Sequence, residues 1–183
     1  MADYFPSINA NHRSFIDNQQ IFFVASADSD GRINLSPKGQ TSLVITGENE
    51  LIWLNLTGSG NETAAHIARS NRMTLMWCSF MGPPQILRMY GSAEIVHPRD
   101  KAWEECAQLI EPQLGARQFF RMQVDSLYTS CGYGVPQMDF VQERTALEKW
   151  TEKKGSEGVA EYWRERNQTS LDGHPTEILK TGN

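Results

Sequence analysis

The feature that most constrains this chain is a series of short apolar or alternating segments between Ile21 and His97, each closed by turn residues. "IFFVASA" (21–27) reads as a buried strand and "DSDG" (28–31) as a turn. "RINLS" (32–36) alternates, with Ile33 and Leu35 on one face and Arg32, Asn34 and Ser36 on the other. "SLVIT" (42–46), "GENE" (47–50) and "LIWLNLT" (51–57) read as a hairpin. A helix-like stretch follows, to about Arg72. "MTLMWCSF" (73–80), the turn "MGPP" (81–84) and "QILRMYGSAEIVH" (85–97) form a second strand pair. Six strands at short spacing, mostly joined by turns, predict an antiparallel barrel and argue against a doubly wound parallel sheet.

The flanks read differently. Residues 7–19 place Ile8, His12, Phe15 and Ile16 at helical spacing. After Pro98, Trp103, Cys106 and Ile110 mark another helix, and "RQFFRMQVDSLYTS" (117–130) a further strand. "CGYGVP" (131–136) is a glycine- and proline-rich loop. Two helical segments are expected next, 143–154 stopped by Gly155 and 156–167 stopped near Asn167, before a turn-rich tail. The 183 residues suffice for one domain with a sizeable core. The expected architecture is mainly β with flanking helices: a barrel core over about residues 20–130 and a C-terminal helical extension over about 137–183. Trp150, Tyr162 and Trp163 on that extension imply docking on the barrel or on a partner subunit.

Composition narrows the function classes. No apolar run approaches the roughly 18 residues of a membrane span. The N-terminus has no basic segment followed by an apolar one, so no secretory signal is expected. Cys78, Cys106 and Cys131 lie far apart without framework spacing, which points to reduced thiols and a cytoplasmic location. The sequons at Asn55, Asn61 and Asn167 then carry little meaning. The net charge is −5 and no basic stripe is visible, against nucleic-acid binding; an anionic ligand would need locally concentrated cations. His12, His66, His97 and His174 show no metal-ligand spacing, there is no CxxC, and no metal is expected. Walker A, the hydrolase elbow and the dinucleotide fingerprint are all missing.

The stretch "LTGSGNETAAH" (56–66) admits two readings. Ser59-Gly60-Asn61-Glu62 fits a capping box, worth about 1 kcal/mol without any ligand. Alternatively Asn61 is the cap, with Glu62 in the first turn and His66 four residues on as its surface partner. The functional reading uses the same free N–H groups as an anion site, with Gly58 and Gly60 allowing close approach and Ser59, Asn61 and Thr63 adding donors. Glu62 opposes it, because a carboxylate at a helix start competes with a phosphate. Arg32, Lys38 and Arg88 are the candidate cations. Local evidence favours simple capping.

Read together, "GRINLSPKG", "LTGSGNETAAHIARSNRMTLMW" and "QILRMYGSAEIV" resemble the pyridoxamine 5'-phosphate oxidase-like family of FMN-binding split barrels. "SCGYGVPQM" and "YWRERNQTSLDGHPT" look like the C-terminal part of an uncharacterised branch of it. The resemblance covers most of the chain and implies a six-stranded antiparallel split β-barrel. It implies FMN as cofactor, bound at the subunit interface of a homodimer. It assigns Arg32, Asn34, Ser36 and Lys38 to a strand against the flavin, and Thr57, Gly58, Ser59, Asn61 and Thr63 to the flavin edge and phosphate. Arg88, less so Gln85, supplies a polar flavin contact, and Ser130, Cys131 and Gly132 approach from the partner subunit. Two departures stand out: the family's Arg-Lys pair at the helix start falls on Glu62 and Thr63, and its C-terminal Trp and Arg have no secure counterpart in Trp163 and Arg166.

The implied function is that of a flavin-dependent oxidoreductase acting on a small-molecule substrate. No catalytic dyad is then required, because the isoalloxazine ring carries the redox chemistry and the protein binds and tunes it. The alternative is a non-catalytic module that binds or stores flavin or a related cofactor. Plainer roles compete at single positions: Arg88 as a surface ion pair, Asn34 and Ser36 as solvent-face residues, Lys38 in a turn, and Trp77 and Cys78 in the core.

Overall fold

Alternation along the strands decides which side chains turn inward, and a computed structural model of the chain, which describes residues 2–180, shows the result. In chain order the elements are β1 (Asp3–Phe5), α1 (Ala10–Asp17), β2 (Ile21–Ser26), β3 (Asn34–Gly39), β4 (Leu43–Ile45), β5 (Glu50–Leu56), α2 (Glu62–Ser70), β6 (Arg72–Cys78), β7 (Gln85–Val96), α3 (Trp103–Leu109), β8 (Ala116–Cys131) and α4 (Ala146–Arg166). The strands form one curled antiparallel sheet in the order β3-β2-β6-β7-β8-β5-β4, with β1 added on β8. This is the split-barrel architecture. Its eight strands, among the described residues, exceed the six expected, because β8 and the short β1 join the barrel strands.

The long strand β8 organises the sheet. One edge pairs with β7 from Gln85↔Cys131 to Val96↔Phe119. Its other edge is shared, β5 pairing with 116–123 and β1 with 127–129. Asn49 closes the gap: its backbone carbonyl accepts from Val124 N–H at 2.8 Å, and its Nδ2 donates to the Val124 and Pro6 carbonyls at 3.0 and 2.6 Å. Where the β7–β8 register slips at Tyr90/Gly91, a Cβ on Gly91 would stand 2.0 Å from the Gln123 carbonyl oxygen, so only glycine fits this bulge.

Strand β5 buries both faces, as its near-continuous apolar run requires. Leu51 and Trp53 enter the barrel with Phe22, Leu75, Trp77, Leu87, Met89, Phe120 and Met122, and Ile67 of α2 packs on this core. Ile52 and Leu54 face the other way, against Cys106, Ile110 and Phe119, under α3. Trp53 stacks on Phe120 at 4.6 Å between centroids.

The helix boundaries follow local chemistry. Asn9 caps α1 reciprocally with His12: His12 N–H donates to Asn9 Oδ1 at 3.0 Å and Asn9 N–H to His12 Nδ1 at 3.2 Å. Gly155 interrupts α4 with φ +67°, so the two expected segments are two helices across a kink. The expected helix after "LTGSGN" ends at Ser70, two residues early, on a left-handed Asn71. No helix among the described residues is long and apolar enough to cross a membrane. The last three residues of the turn-rich tail, 181–183, lie outside the described part.

Candidate functional site

The inward face of edge strand β3 builds one wall of a cleft of about 800 Å³. Asn34, Ser36 and Lys38 are half-buried on that face, while Leu35 and Pro37 are exposed. The opposite wall is the end of β5 with Asn55 and Thr57, and the floor is the 58–60 loop leading into α2. Arg117 at the start of β8 and residues 169–171 of the tail complete the lining. Eight of the residues the resemblance implied therefore share one cavity: Asn34, Ser36, Lys38, Thr57, Gly58, Ser59, Asn61 and Thr63.

The start of α2 follows the second local expectation in position, with Glu62 in the first turn, but not in its bonding. The S-x-x-E box does not form; Asn61 is the N-cap residue, yet its side chain makes no cap bond. It is drawn away by the cross-strand pair Asn55/Gln118: Asn61 Oδ1 accepts from Gln118 Nε2 at 2.7 Å and from Asn55 Nδ2 at 3.4 Å. The expected Glu62–His66 pair is also absent. His66 is buried and its Nδ1 lies 3.1 Å from Ser26 Oγ. Both Glu62 carboxylate oxygens instead accept from the Leu171 N–H, at 3.2 and 3.0 Å, so the carboxylate turns to the tail. Among the described residues, the N–H groups of Glu62 and Thr63 have no protein acceptor.

Two cations enter this space. Lys38 Nζ donates to Asn55 Oδ1 at 3.1 Å and sits 5.4 Å from the Trp53 ring centre. Burial, and then the neighbouring Arg117 charge, pull its ammonium down to about 8. Arg117 is 3% exposed, and its Nη1 donates to the Gly60 carbonyl at 2.7 Å and to Asn167 Oδ1 at 3.0 Å. Burial lowers the guanidinium to about 10, which leaves it charged at neutral pH. No ion pair among the described residues reaches either group. Four buried polar atoms around the cleft lack partners: Ser36 Oγ, Asn61 Nδ2, Arg117 Nε and Gln118 Oε1.

The tail is strapped across the cradle. Trp163 Nε1 donates to Thr57 Oγ1 at 2.8 Å, and Asn167 Nδ2 to the Gly58 carbonyl at 3.1 Å. Arg32 does not line the cleft: its backbone N–H and guanidinium both bind Asp172 on this strap. The remaining implied residues lie outside this cleft. Arg88 Nη1 donates to Ser130 Oγ at 3.3 Å, and Ser130 and Cys131 line a second groove with His12 and Tyr133.

Arg117, Gln118, Asn55 and Asn167 were not singled out as site residues from the sequence. A signal existed for three of them, since each is a polar residue in an apolar strand run, "LIWLNLT" or "RQFFRM". Asn167 carried none, because its partners are 50 and 109 positions away.

Known proteins place the chain in a family and share its fold. The sequence model of the family described as "Pyridoxamine 5'-phosphate oxidase" matches residues 8–131. The chain is 31% identical over 193 aligned positions to the pyridoxamine 5'-phosphate oxidase family protein ustO of Aspergillus flavus, covering 96% of this chain and 78% of that one. Among solved structures, a HupZ variant of Group A Streptococcus matches with TM-score 0.54 at 20% identity, over 67% of this chain and 99% of that one. A putative pyridoxamine 5'-phosphate oxidase from Lactobacillus delbrueckii matches with TM-score 0.53 at 19% identity, over 67% and 94%. These two share the fold. The chain belongs to the pyridoxamine 5'-phosphate oxidase family.

Proposed function

We propose that the chain binds FMN in the cleft between β3, β5 and the start of α2, and works as a flavin-dependent oxidoreductase on a small-molecule substrate. One observation carries this reading: eight residues from separate segments line a single cavity into which Lys38 projects without a counter-ion. The donor set suits a phosphorylated, hydrogen-bonding cofactor. The free N–H groups at the start of α2 and the neutral donors of Ser59, Asn61 and Thr63 suit a phosphate. Asn34, Ser36 and Lys38 offer a polar edge on the β3 wall, where Ser36 Oγ is buried without a partner among the described residues. When bound, the flavin ring would supply the redox chemistry. The residues of the chain bind and orient it, and the Lys38 charge favours an anionic form of whatever lies against it. A solved FMN-binding protein from Syntrophomonas wolfei has a related fold, with TM-score 0.50 at 10% identity.

A second copy of the chain completes this reading. Ile33, just before edge strand β3, and Leu35 on its outer face are 78% and 62% exposed, an apolar surface of the kind a homodimer would cover. The partner's Arg88–Ser130–Cys131 cluster would then reach the cleft. The absorption spectrum of the purified protein, with the released chromophore identified, tests the cofactor. A colourless protein that takes up no added FMN refutes it. Turnover with a reduced nicotinamide and an electron acceptor separates an oxidoreductase from a storage module.

A further inference from the structure

Resting on the FMN reading for the identity of the ligand, we propose that Arg117 is the phosphate-anchoring cation of the cleft and that Asn167 of the C-terminal strap positions it. A guanidinium almost wholly removed from water is unfavourable unless an anion or full hydrogen bonding compensates it. Neither is present. Among the described residues Arg117 has no carboxylate partner, and only Nη1 is satisfied, by the neutral oxygens of Gly60 and Asn167. Its Nε is buried without a partner, and Nη2 makes no bond to the described protein. Nη2 lies 3.8 Å from where a Cβ on Gly58 would stand, against the loop that leads into α2. The free N–H groups of α2 open on the same cavity, and Asn61 Nδ2, on a residue 2% exposed, is unpartnered there.

Arg117, Asn61 and the start of α2 thus line one cavity; Glu62 lines it too, with its carboxylate engaged by the strap. Glu62 is tied to the Leu171 N–H of the strap rather than to Arg117. A phosphate monoester, with two negative charges and three acceptor oxygens, matches the set. Asn167 is fully buried and bridges Arg117 to the Gly58 carbonyl, while its own carbonyl accepts from Thr176 Oγ1 at 2.5 Å. It fixes the plane of the guanidinium, so docking of the strap and binding of the phosphate favour one another.

The test compares FMN with riboflavin, which differs by the phosphate alone, using flavin fluorescence quenching with wild type, Arg117→Gln and Asn167→Asp. Arg117→Gln keeps an amide donor without the charge; Asn167→Asp keeps an oxygen acceptor but gives Arg117 a counter-ion. The expected result is at least about tenfold weaker FMN binding in both variants, with riboflavin affinity unchanged within about twofold. Thermal melting confirms that each variant is folded, and Asn167→Asp decides if Arg117→Gln does not fold. Equal losses for both flavins, or undiminished FMN affinity, overturn the proposal. If the wild type binds neither flavin, the FMN reading fails, and inorganic phosphate becomes the probe. A phosphate-dependent rise in melting temperature for wild type but not for the variants sustains Arg117 as the anchor. No rise, or an equal rise in all, overturns it.

Discussion

Replacing Lys38 by Met should stabilise the ligand-free protein at neutral pH while weakening anion binding. The Lys38 ammonium sits near 8, against an ordinary 10.5, because burial and Arg117 disfavour its charge; that gap corresponds to ~3 kcal/mol of destabilisation carried by the charged form. Methionine removes the charge and keeps the apolar stem over Trp53. It also leaves Asn55 Oδ1 without its 3.1 Å donor, a loss of about 1 kcal/mol. The net gain is about 2 kcal/mol, or roughly 4–8 °C in melting temperature for a chain of this size. The pH dependence has a fixed sign. The folded pKa lies below the unfolded one, so between about 8 and 10.5 the unfolded chain binds more protons, and wild-type stability rises with pH through that window. Lys38→Met lacks this rise, so its advantage should be full at pH 7 and shrink towards pH 10. The assay is urea denaturation of protein stripped of ligand, in phosphate-free buffer, at several pH values. Other titrating groups contribute equally to both proteins and cancel in the difference. A wild type more stable than Lys38→Met at pH 7, or a difference independent of pH, would refute the reasoning.

Two further substitutions test the scaffold. Gly91→Ala should destabilise by at least about 3 kcal/mol, because its Cβ would collide with the backbone of the central strand at 2.0 Å; denaturant melts measure it, and a neutral result would show that the bulge can shift. The Arg69 guanidinium and then the Ser29 N–H hold the Asp28 carboxyl below the usual carboxylate range. The stability this gives is present above the ordinary value near 3.8 and is lost as pH falls through the lowered folded one. Asp28→Asn should therefore melt below wild type at pH 7 and converge with it in acid; a difference that persists unchanged in acid would point to packing instead.

Much of the scaffold was legible because it rests on local rules. Short apolar or alternating runs closed by turn residues located β2, β3, β5, β6 and β7, and Gly155 marked its own break in α4. The start of α2 was legible only in place. Its N-cap residue Asn61 makes no cap bond because Gln118 and Asn55 hold its side chain, and the expected surface pair of Glu62 with His66 fails because the helix turns His66 inward onto Ser26. Both outcomes depend on which face of α2 meets the sheet, and a nine-residue window does not contain that information.

The sequence by itself determined the order of strands and turns and the motif spacings that mark the family, since these depend on neighbours within a few residues. Only the tertiary structure decided the charge of the cleft. The pairing of β5 with β8 sets Asn55 opposite Gln118 and brings Arg117 to a loop 57 residues earlier in the chain. The fold of the tail then carries Asn167 back 50 residues to meet it. Desolvation, which turns Lys38 and Arg117 from ordinary cations into uncompensated ones, is a property of the enclosed volume, and no stretch of the chain has it before the sheet curls.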